Sequence, residues 1–158
     1  MDAITLQRID QAHPKIRKQL LEQYKEANNL LGKNVRLRFA YVFRTPEEQS
    51  KLFKQRPKVT NADSWQSIHN YGLAFDIVLL IDTNNDGTFE TASFKVDENW
   101  KLVAKYFKSK GWEWGNDWAK FKDAPHFQKT FGLRWQDLKT RVDKGMTIKN
   151  NNIIYPSI

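Results

Sequence analysis

The sequence predicts an α+β domain, a small antiparallel sheet with flanking helices. Three observations carry this. Apolar residues recur at three- and four-residue spacing after Pro14 and again after Asp97. They alternate over 35–43, and they form a nearly unbroken run over 74–81. The helical patterns bracket the strand patterns, as in an α+β layer arrangement.

The elements follow in order. Residues 2–31 read as helix, broken near His13-Pro14, where Pro14 suits the first turn of a second helix. Ile16, Leu20, Tyr24, Ala27 and Leu31 then make one apolar face, and Gly32 is the expected stop. Val35, Leu37, Phe39, Tyr41 and Phe43 face one way on a strand, with Arg36 and Arg38 facing the other. Thr45, Pro46 and Glu48 form a capping-box pattern, which puts Arg44 at a strand-to-helix junction. Residues 56–68 read as a polar loop, Ala74 to Ile81 as a central strand, 82–87 as a turn and 88–94 as a short return strand. Asp97 opens a helix with Trp100, Val103, Ala104 and Phe107 inward and Gly111 as its stop. An aromatic-rich loop follows over 112–118, then a short or edge strand containing Pro125, then a last helix from Arg134 to Lys144. The pattern places no element over 150–158.

At 158 residues the chain reads as one domain, 1–158, with its motifs between about 10 and 145. A chain of this length buries about two-thirds of its unfolded surface and needs no disulfide. There are no cysteines, which excludes Cys nucleophiles and Cys-ligated metals. The formal net charge is +8, from 26 basic and 18 acidic side chains. Such a charge draws the protein to polyanions without choosing among them. No basic recognition helix or nucleic-acid motif accompanies it, so specific nucleic-acid binding is not expected. No apolar run approaches the ~20 residues of a membrane span, and the first residues lack a signal-peptide pattern. The expectation is a protein made in the cytoplasm.

Of three histidines, two sit in the stretches 67–76 and 123–126, each with a carboxylate a few residues away. His69 ends a loop, and Asp76 follows seven residues later inside the apolar run, with Gly72 permitting a tight path between them. A buried strand carboxylate is costly unless it is paired or bound to a metal. Asp123 and His126 are three apart, and Ala124-Pro125 allows a turn that brings both to one site. His69, Asp76 and His126 are therefore candidate ligands of a catalytic zinc, which takes three His, Asp or Glu ligands and keeps a position open. Asp123 is the candidate base. Each residue also admits a plainer reading: a hydrogen-bonded histidine, a solvent-facing strand aspartate, a turn aspartate. His13, before Pro14, has only the plainer one.

The segment Ser67-x-His69-x-x-Gly72-x-Ala74-x-Asp76 resembles the signature of the D-Ala-D-Ala/L-Ala-D-Glu zinc metallopeptidases that act on peptidoglycan stems. Gly111 to Trp118 with Phe121 to Gln128 resembles the second block of the L-alanyl-D-glutamate, endolysin-type branch. Arg44-Thr45 with Glu48-Gln49, and Gly132 to Leu138, resemble two further blocks. The resemblance implies the hedgehog/D-Ala-D-Ala-peptidase-like fold. It implies His69, Asp76 and His126 as zinc ligands and Asp123 as general acid/base. Arg44 would stabilise the oxyanion or hold a substrate carboxylate, Gln49 and Ser67 would line the pocket, and Trp114 would pack beside it. The implied activity is hydrolysis of the L-Ala–D-Glu bond of stem peptides. The alternatives are D-Ala-D-Ala carboxypeptidase or dipeptidase chemistry, or a non-catalytic zinc-containing module. The expected form is a monomer without a separate wall-binding domain. It would be held on anionic envelopes by charge and reach the wall after release through a holin-type pore or lysis.

Asp82-Thr83-Asn84-Asn85-Asp86-Gly87 matches the start of a calcium loop, with Thr88 and Glu90 as further ligands. The twelfth position is Ser93, not the bidentate Glu of an EF-hand. The competing reading is a hairpin turn.

Overall fold

The computed structural model describes residues 1–158. Its central strand is β2 (Ala74–Ile81), buried along almost its whole length. β1 (Val35–Tyr41) runs antiparallel along it from Val35 opposite Ile81 to Tyr41 opposite Asp76. The start of β2 also pairs with β5 (His126–Gln128), and its end with β3 (Thr91–Ser93). β4 (Glu113–Trp114) extends the sheet beyond β5, so the order is β1-β2-β5-β4, all antiparallel. The α+β expectation is met.

Because side chains alternate across a sheet, the register sorts these residues onto two faces. On one face Phe39, Phe75, Phe127 and Trp114 form an aromatic row. Phe39 stacks on Phe75 at 4.3 Å between ring centroids, Phe75 on Phe127 at 5.2 Å, and Trp114 on Phe127 at 6.2 Å. Two helices cover that row. α2 (Pro14–Asn29) buries Ile16, Leu20, Tyr24 and Ala27, and α4 (Glu98–Ser109) buries Trp100, Val103, Ala104 and Phe107. These are the faces the spacing predicts. Phe107 meets Phe75 edge-on at 4.8 Å, and Tyr24 meets Phe39 edge-on at 5.2 Å. The other face carries Asp76 opposite His126, and Gln128 opposite Glu113.

β1 departs from simple alternation. Leu37 and Phe39 are fully buried, but Tyr41 is 47% exposed. A bulge between Phe39 and Tyr41 shifts the register, turns Tyr41 onto the polar face opposite Asp76, and puts Val42 in the core instead. Alternation alone cannot reveal an inserted residue. α2 likewise ends at Asn29, ahead of Gly32, which has no left-handed backbone. The return strand is shorter than 88–94, and part of the aromatic-rich loop is β4.

α3 (Pro46–Lys54) begins with the predicted capping box. Glu48 N–H donates to Thr45 Oγ1 and Thr45 N–H to Glu48 Oε1, both at 3.1 Å. α5 (Trp135–Asp143) is the last helix, and after it the chain does what the pattern did not show. β6 (Thr147–Asn150) and β7 (Ile153–Pro156) form a separate hairpin. It buries Tyr155, whose hydroxyl donates to Gln11 O at 2.7 Å. His13 is buried beside it: Nδ1 accepts from Lys15 N–H, and Nε2 donates to Pro156 O at 2.7 Å. His13 thus caps α2 and ties down the hairpin, the structural role expected of it. Its backbone N–H in turn donates to Gly72 O, so the C-terminal hairpin braces the turn that carries His69.

The first helix, α1 (Ala3–Ile9), is fastened to β1 by a partly buried ion pair. Arg38 grips Asp2 with Nε–Oδ2 at 2.9 Å and Nη2–Oδ1 at 2.8 Å, while Asp2 also caps α1 through Thr5. Burial pushes the Asp2 carboxyl up, but the hydrogen bonds and charge of Arg38, with Thr5, outweigh it and hold the group below its ordinary value. A depressed folded-state carboxyl stabilises above the unfolded value and loses that contribution as pH falls through the folded one. Asp2→Asn should therefore cost about 1–3 kcal/mol at neutral pH. The gap from the parent should close as the pH of urea denaturation is lowered below about 4.

Candidate active site

Sheet pairing places Asp76 and His126 side by side on neighbouring strands, on the face away from the aromatic row. The third member, His69, comes from a single 3₁₀ turn, Ile68–Tyr71. Ser67 caps that turn, accepting from His69 N–H at 3.2 Å. Gly72 ends it in the left-handed conformation, φ 71°, and a Cβ there would stand 2.6 Å from the His13 backbone nitrogen. Only glycine fits both demands. The potential ligand atoms of His69, Asp76 and His126 all lie within 4.8 Å of one another.

Hydrogen bonding on the far side of each ring decides what the rings offer. His69 Nδ1 faces Val42 O at 2.8 Å. A carbonyl only accepts, so Nδ1 carries the proton and Nε2 of the neutral ring is a bare lone pair. That Nε2 points at Asp76 Oδ1, 3.1 Å away. His126 Nε2 faces Gln128 Oε1 at 2.8 Å, which leaves its Nδ1 bare and 3.2 Å from the same Asp76 oxygen. Three acceptors converging without a proton repel one another. They are compatible only with a cation among them, either protons on the rings or one metal ion. Two imidazole nitrogens and a carboxylate are a zinc donor set, so the residues fit the metal. Without one, burial opposes charge on His126, but the hydrogen bond and charge of Asp76 prevail and hold its imidazole above the ordinary value. Burial likewise pushes Asp76 up, and the charge of His69 with hydrogen bonds from both rings drives it far below.

Asp123 and Arg44 line the same cavity, of about 590 Å³, as His69, Asp76 and His126. Asp123 stands at the solvent-open edge of the cavity, and partial desolvation there with the Asp76 charge raises its carboxyl, the direction that suits a group exchanging protons. Its position comes from a turn anchored at every residue. Asp123 N–H donates to Gly115 O, His126 N–H to Asp123 O, and Ile77 N–H to Pro125 O. The Ala124 carbonyl accepts from the indole nitrogens of Trp114 at 2.7 Å and Trp100 at 3.3 Å. Arg44 is buried, with Nη1 donating to Gln49 Oε1 at 2.9 Å and Nη2 3.9 Å from Asp76 Oδ2. Tyr41 lies under its guanidinium at 4.5 Å, and its Nε has no partner.

The other expected pocket residues divide. Ser67 lines the cavity. Gln49 does not: it is buried, and its amide is spent between Arg44 and Ala62 O, 2.7 Å away, so it holds Arg44 and the 56–67 loop together. Trp114 is also away from the cavity, in the aromatic row, and acts on it through Ala124. Tyr41, Trp118 and Gln128 line the cavity and were not singled out from the sequence. Tyr41 is brought there by the bulge. A second cavity, of about 520 Å³, shares Val59, Thr60, Ala62, Gln66 and Asp123 with the first and adds Asn61, Phe121, Lys122 and Trp135.

The acidic loop stands apart. Asp82, Asp86 and Glu90 bring carboxylate oxygens within 4.8 Å of one another. The same oxygens accept from the loop itself: Asp82 from Gly87 N–H at 2.7 Å and Asp86 N–H at 3.1 Å, Asp86 from Thr88 N–H at 2.8 Å, and Glu90 from the Thr83 hydroxyl at 2.6 Å. Asn84 Oδ1 accepts from Asp86 N–H at 3.3 Å.

Residues 60–129, which hold this site's histidines and aspartates, match the M15 peptidase family model described as D-alanyl-D-alanine carboxypeptidase. It is 40% identical over 98 residues to the peptidoglycan L-alanyl-D-glutamate endopeptidase CwlK of Bacillus subtilis strain 168, covering 54% of this chain and 56% of that protein. It is 35% identical over 85 residues to the L-alanyl-D-glutamate peptidase of Listeria phage A118, covering 54% of this chain and 27% of that protein. The chain thus spans about half the length of the first relative and about a quarter of the second. The crystal structure of Serratia marcescens L-Ala D-Glu endopeptidase ChiX shares the fold, with a TM-score of 0.57, 20% identity, and coverage of 83% of this chain and 90% of that one.

Gly115 has a role that its backbone angles do not announce. A Cβ there would lie 2.3 Å from the Asp123 carbonyl oxygen. Gly115→Ala should push the 123–126 turn outward and destabilise the fold by about 1–3 kcal/mol, read as a lowered midpoint in thermal or urea unfolding.

Proposed function

We propose that this protein is a zinc-dependent endopeptidase that hydrolyses the L-Ala–D-Glu bond of peptidoglycan stem peptides. The observation that carries the reading is the pair of imidazole lone pairs aimed at one carboxylate oxygen, with a second carboxylate, Asp123, in the same cavity. The names of the two curated relatives support the choice of bond. His69 Nε2, His126 Nδ1 and Asp76 would hold the ion. Bound there, zinc supplies a Lewis acid that makes water nucleophilic at neutral pH and polarises the peptide carbonyl.

The chain's own groups do the rest. Asp123 takes the proton from the attacking water and returns it to the leaving amine of D-Glu, so one carboxyl serves as base and then acid. Partial desolvation at the cavity wall, with the Asp76 charge beside it, favours the neutral form and helps it keep the proton between the two steps. Arg44, anchored by Gln49 and Tyr41, presents a fixed positive charge for the developing oxyanion or for a substrate carboxylate. Asp123 lines both cavities, and together they offer room for a peptide that extends past the scissile bond. A net charge of +8 favours an anionic envelope, reached after release from the cytoplasm.

A second reading, removal of a terminal D-Ala, is favoured by the family's description. Mass spectrometry of digested muropeptides separates the two: a fragment with a free N-terminal D-Glu is expected, and loss of D-Ala alone would replace the first reading with the second. Asp123→Ala should retain zinc yet lose about 10²–10⁴-fold in rate, whereas His126→Ala should lose zinc and melt earlier. Lysis of purified sacculi at the parental rate by Asp123→Ala would overturn the assigned mechanism.

Calcium at Asp82, Asn84, Asp86, Thr88 and Glu90 is a separate proposal, supported by the convergence of three carboxylates. Calorimetric titration should give heat and raise the melting temperature; a silent titration with an unmoved melting temperature rejects it.

A further inference from the structure

The polar row on the open face of the sheet continues beyond His126. Gln128 lies two residues on along β5, and so on the same face, and Glu113 is its partner across the β4–β5 ladder. The contacts run in one line. His126 Nε2–H donates to Gln128 Oε1 at 2.8 Å, and Gln128 Nε2 donates to Glu113 Oε2 at 2.7 Å. Direction along this line is set from its outer end. A carboxylate can only accept, so Glu113 obliges the Gln128 amide to present its NH₂ outward and its oxygen inward. An amide oxygen can only accept, so the ring nitrogen facing it must carry the proton.

The two imidazoles are therefore locked by different means. His69 is held by the main chain, at Val42 O, where no side-chain substitution reaches. His126 is held by two side chains. We propose that Gln128 and Glu113 are positioning residues that fix His126 as its Nε2–H tautomer, so that Nδ1 is kept bare as a metal donor. If the amide turned over, its NH₂ would face the ring, Nε2 would become the acceptor and Nδ1 would carry the proton. The donor set would then lose a member with no ligand moved. The inference rests on the metal-site reading given above, and it adds residues from outside the group of three.

The test uses the full chain and two readouts besides turnover. Zinc affinity is measured by competition with a chromophoric chelator, and the His126 tautomer by long-range ¹⁵N–¹H correlation spectra of the metal-free protein at alkaline pH, where the ring is neutral. The metal-free melting temperature controls for folding. The parent should bind one zinc and show His126 protonated at Nε2. Gln128→Leu should lower affinity about 10–100-fold and shift His126 towards a mixture of tautomers. Glu113→Leu, which frees the amide to turn over, should do the same to a smaller extent and add little to Gln128→Leu. The exchange Glu113→Gln with Gln128→Glu rebuilds the line with the carboxylate inward, and it should recover affinity and tautomer together.

Parental zinc affinity in Gln128→Leu overturns the inference. So does weakened binding with the Nε2–H tautomer intact and no recovery in the exchanged pair, which would make Gln128 a packing residue only. A parent that takes up no zinc overturns the metal reading itself, and this inference with it, while the tautomer spectra still report whether the hydrogen-bonded line exists.

Discussion

The structure depends on the pleat of one strand. Along β2, Phe75 and Asp76 are neighbours in sequence and point to opposite faces, one into an aromatic core and one into the cavity. β5 repeats the division in register, with Phe127 opposite Phe75 and His126 opposite Asp76. β4 repeats it again with Trp114 and Glu113. The aromatic row that holds the sheet against α2 and α4 thus sets the alignment of the polar row behind it. A slip of one residue would send Asp76 and His126 into the core and the aromatic rings into the cavity, so the energy of core packing also specifies the polar cluster.

The buried charge is tolerable because it is shared out. Asp76 is approached by two imidazoles and, at 3.9 Å, by Arg44. Each of those groups is held from behind: His69 by Val42 O, His126 by Gln128, Arg44 by Gln49 and Tyr41. An arrangement supported on every far side is preorganised, and preorganisation is what allows fixed charges to act on a transition state without reorganisation cost. The 123–126 turn follows the same rule, with its carbonyls and N–H groups committed to Gly115, Ile77 and two tryptophans.

Parts of this were legible in the sequence for definite reasons. The inward faces of α2 and α4 have the helical period, the α3 cap has a local hydrogen-bond logic, and Asp76 stands out as a charge inside an apolar strand. Tyr41 was not legible, because a bulge adds a residue without leaving a compositional mark. Gly115 was not, because its constraint is a distant carbonyl at 2.3 Å and not its own φ. The hairpin at 147–156 escaped because its strands are short and mostly exposed, and Tyr155 is buried against Gln11 and His13 from the other end of the chain. Gln49 and Trp114 were marked by their motifs as near the site, but which group each touches is a matter of packing.

By itself the sequence determined the class of fold, the two aromatic-lined helix faces and the residue types able to hold a metal, since these depend on periodicity and on chemistry carried residue by residue. Only the tertiary structure decided that His69, Asp76 and His126 share one oxygen-centred cluster, which nitrogen of each ring is bare, and that Gln128 and Glu113 stand behind one of them. The reason is that a lone pair acquires a direction only from the hydrogen bond on the opposite side of its ring. Those partners lie on other strands, at distances along the chain that no local pattern encodes.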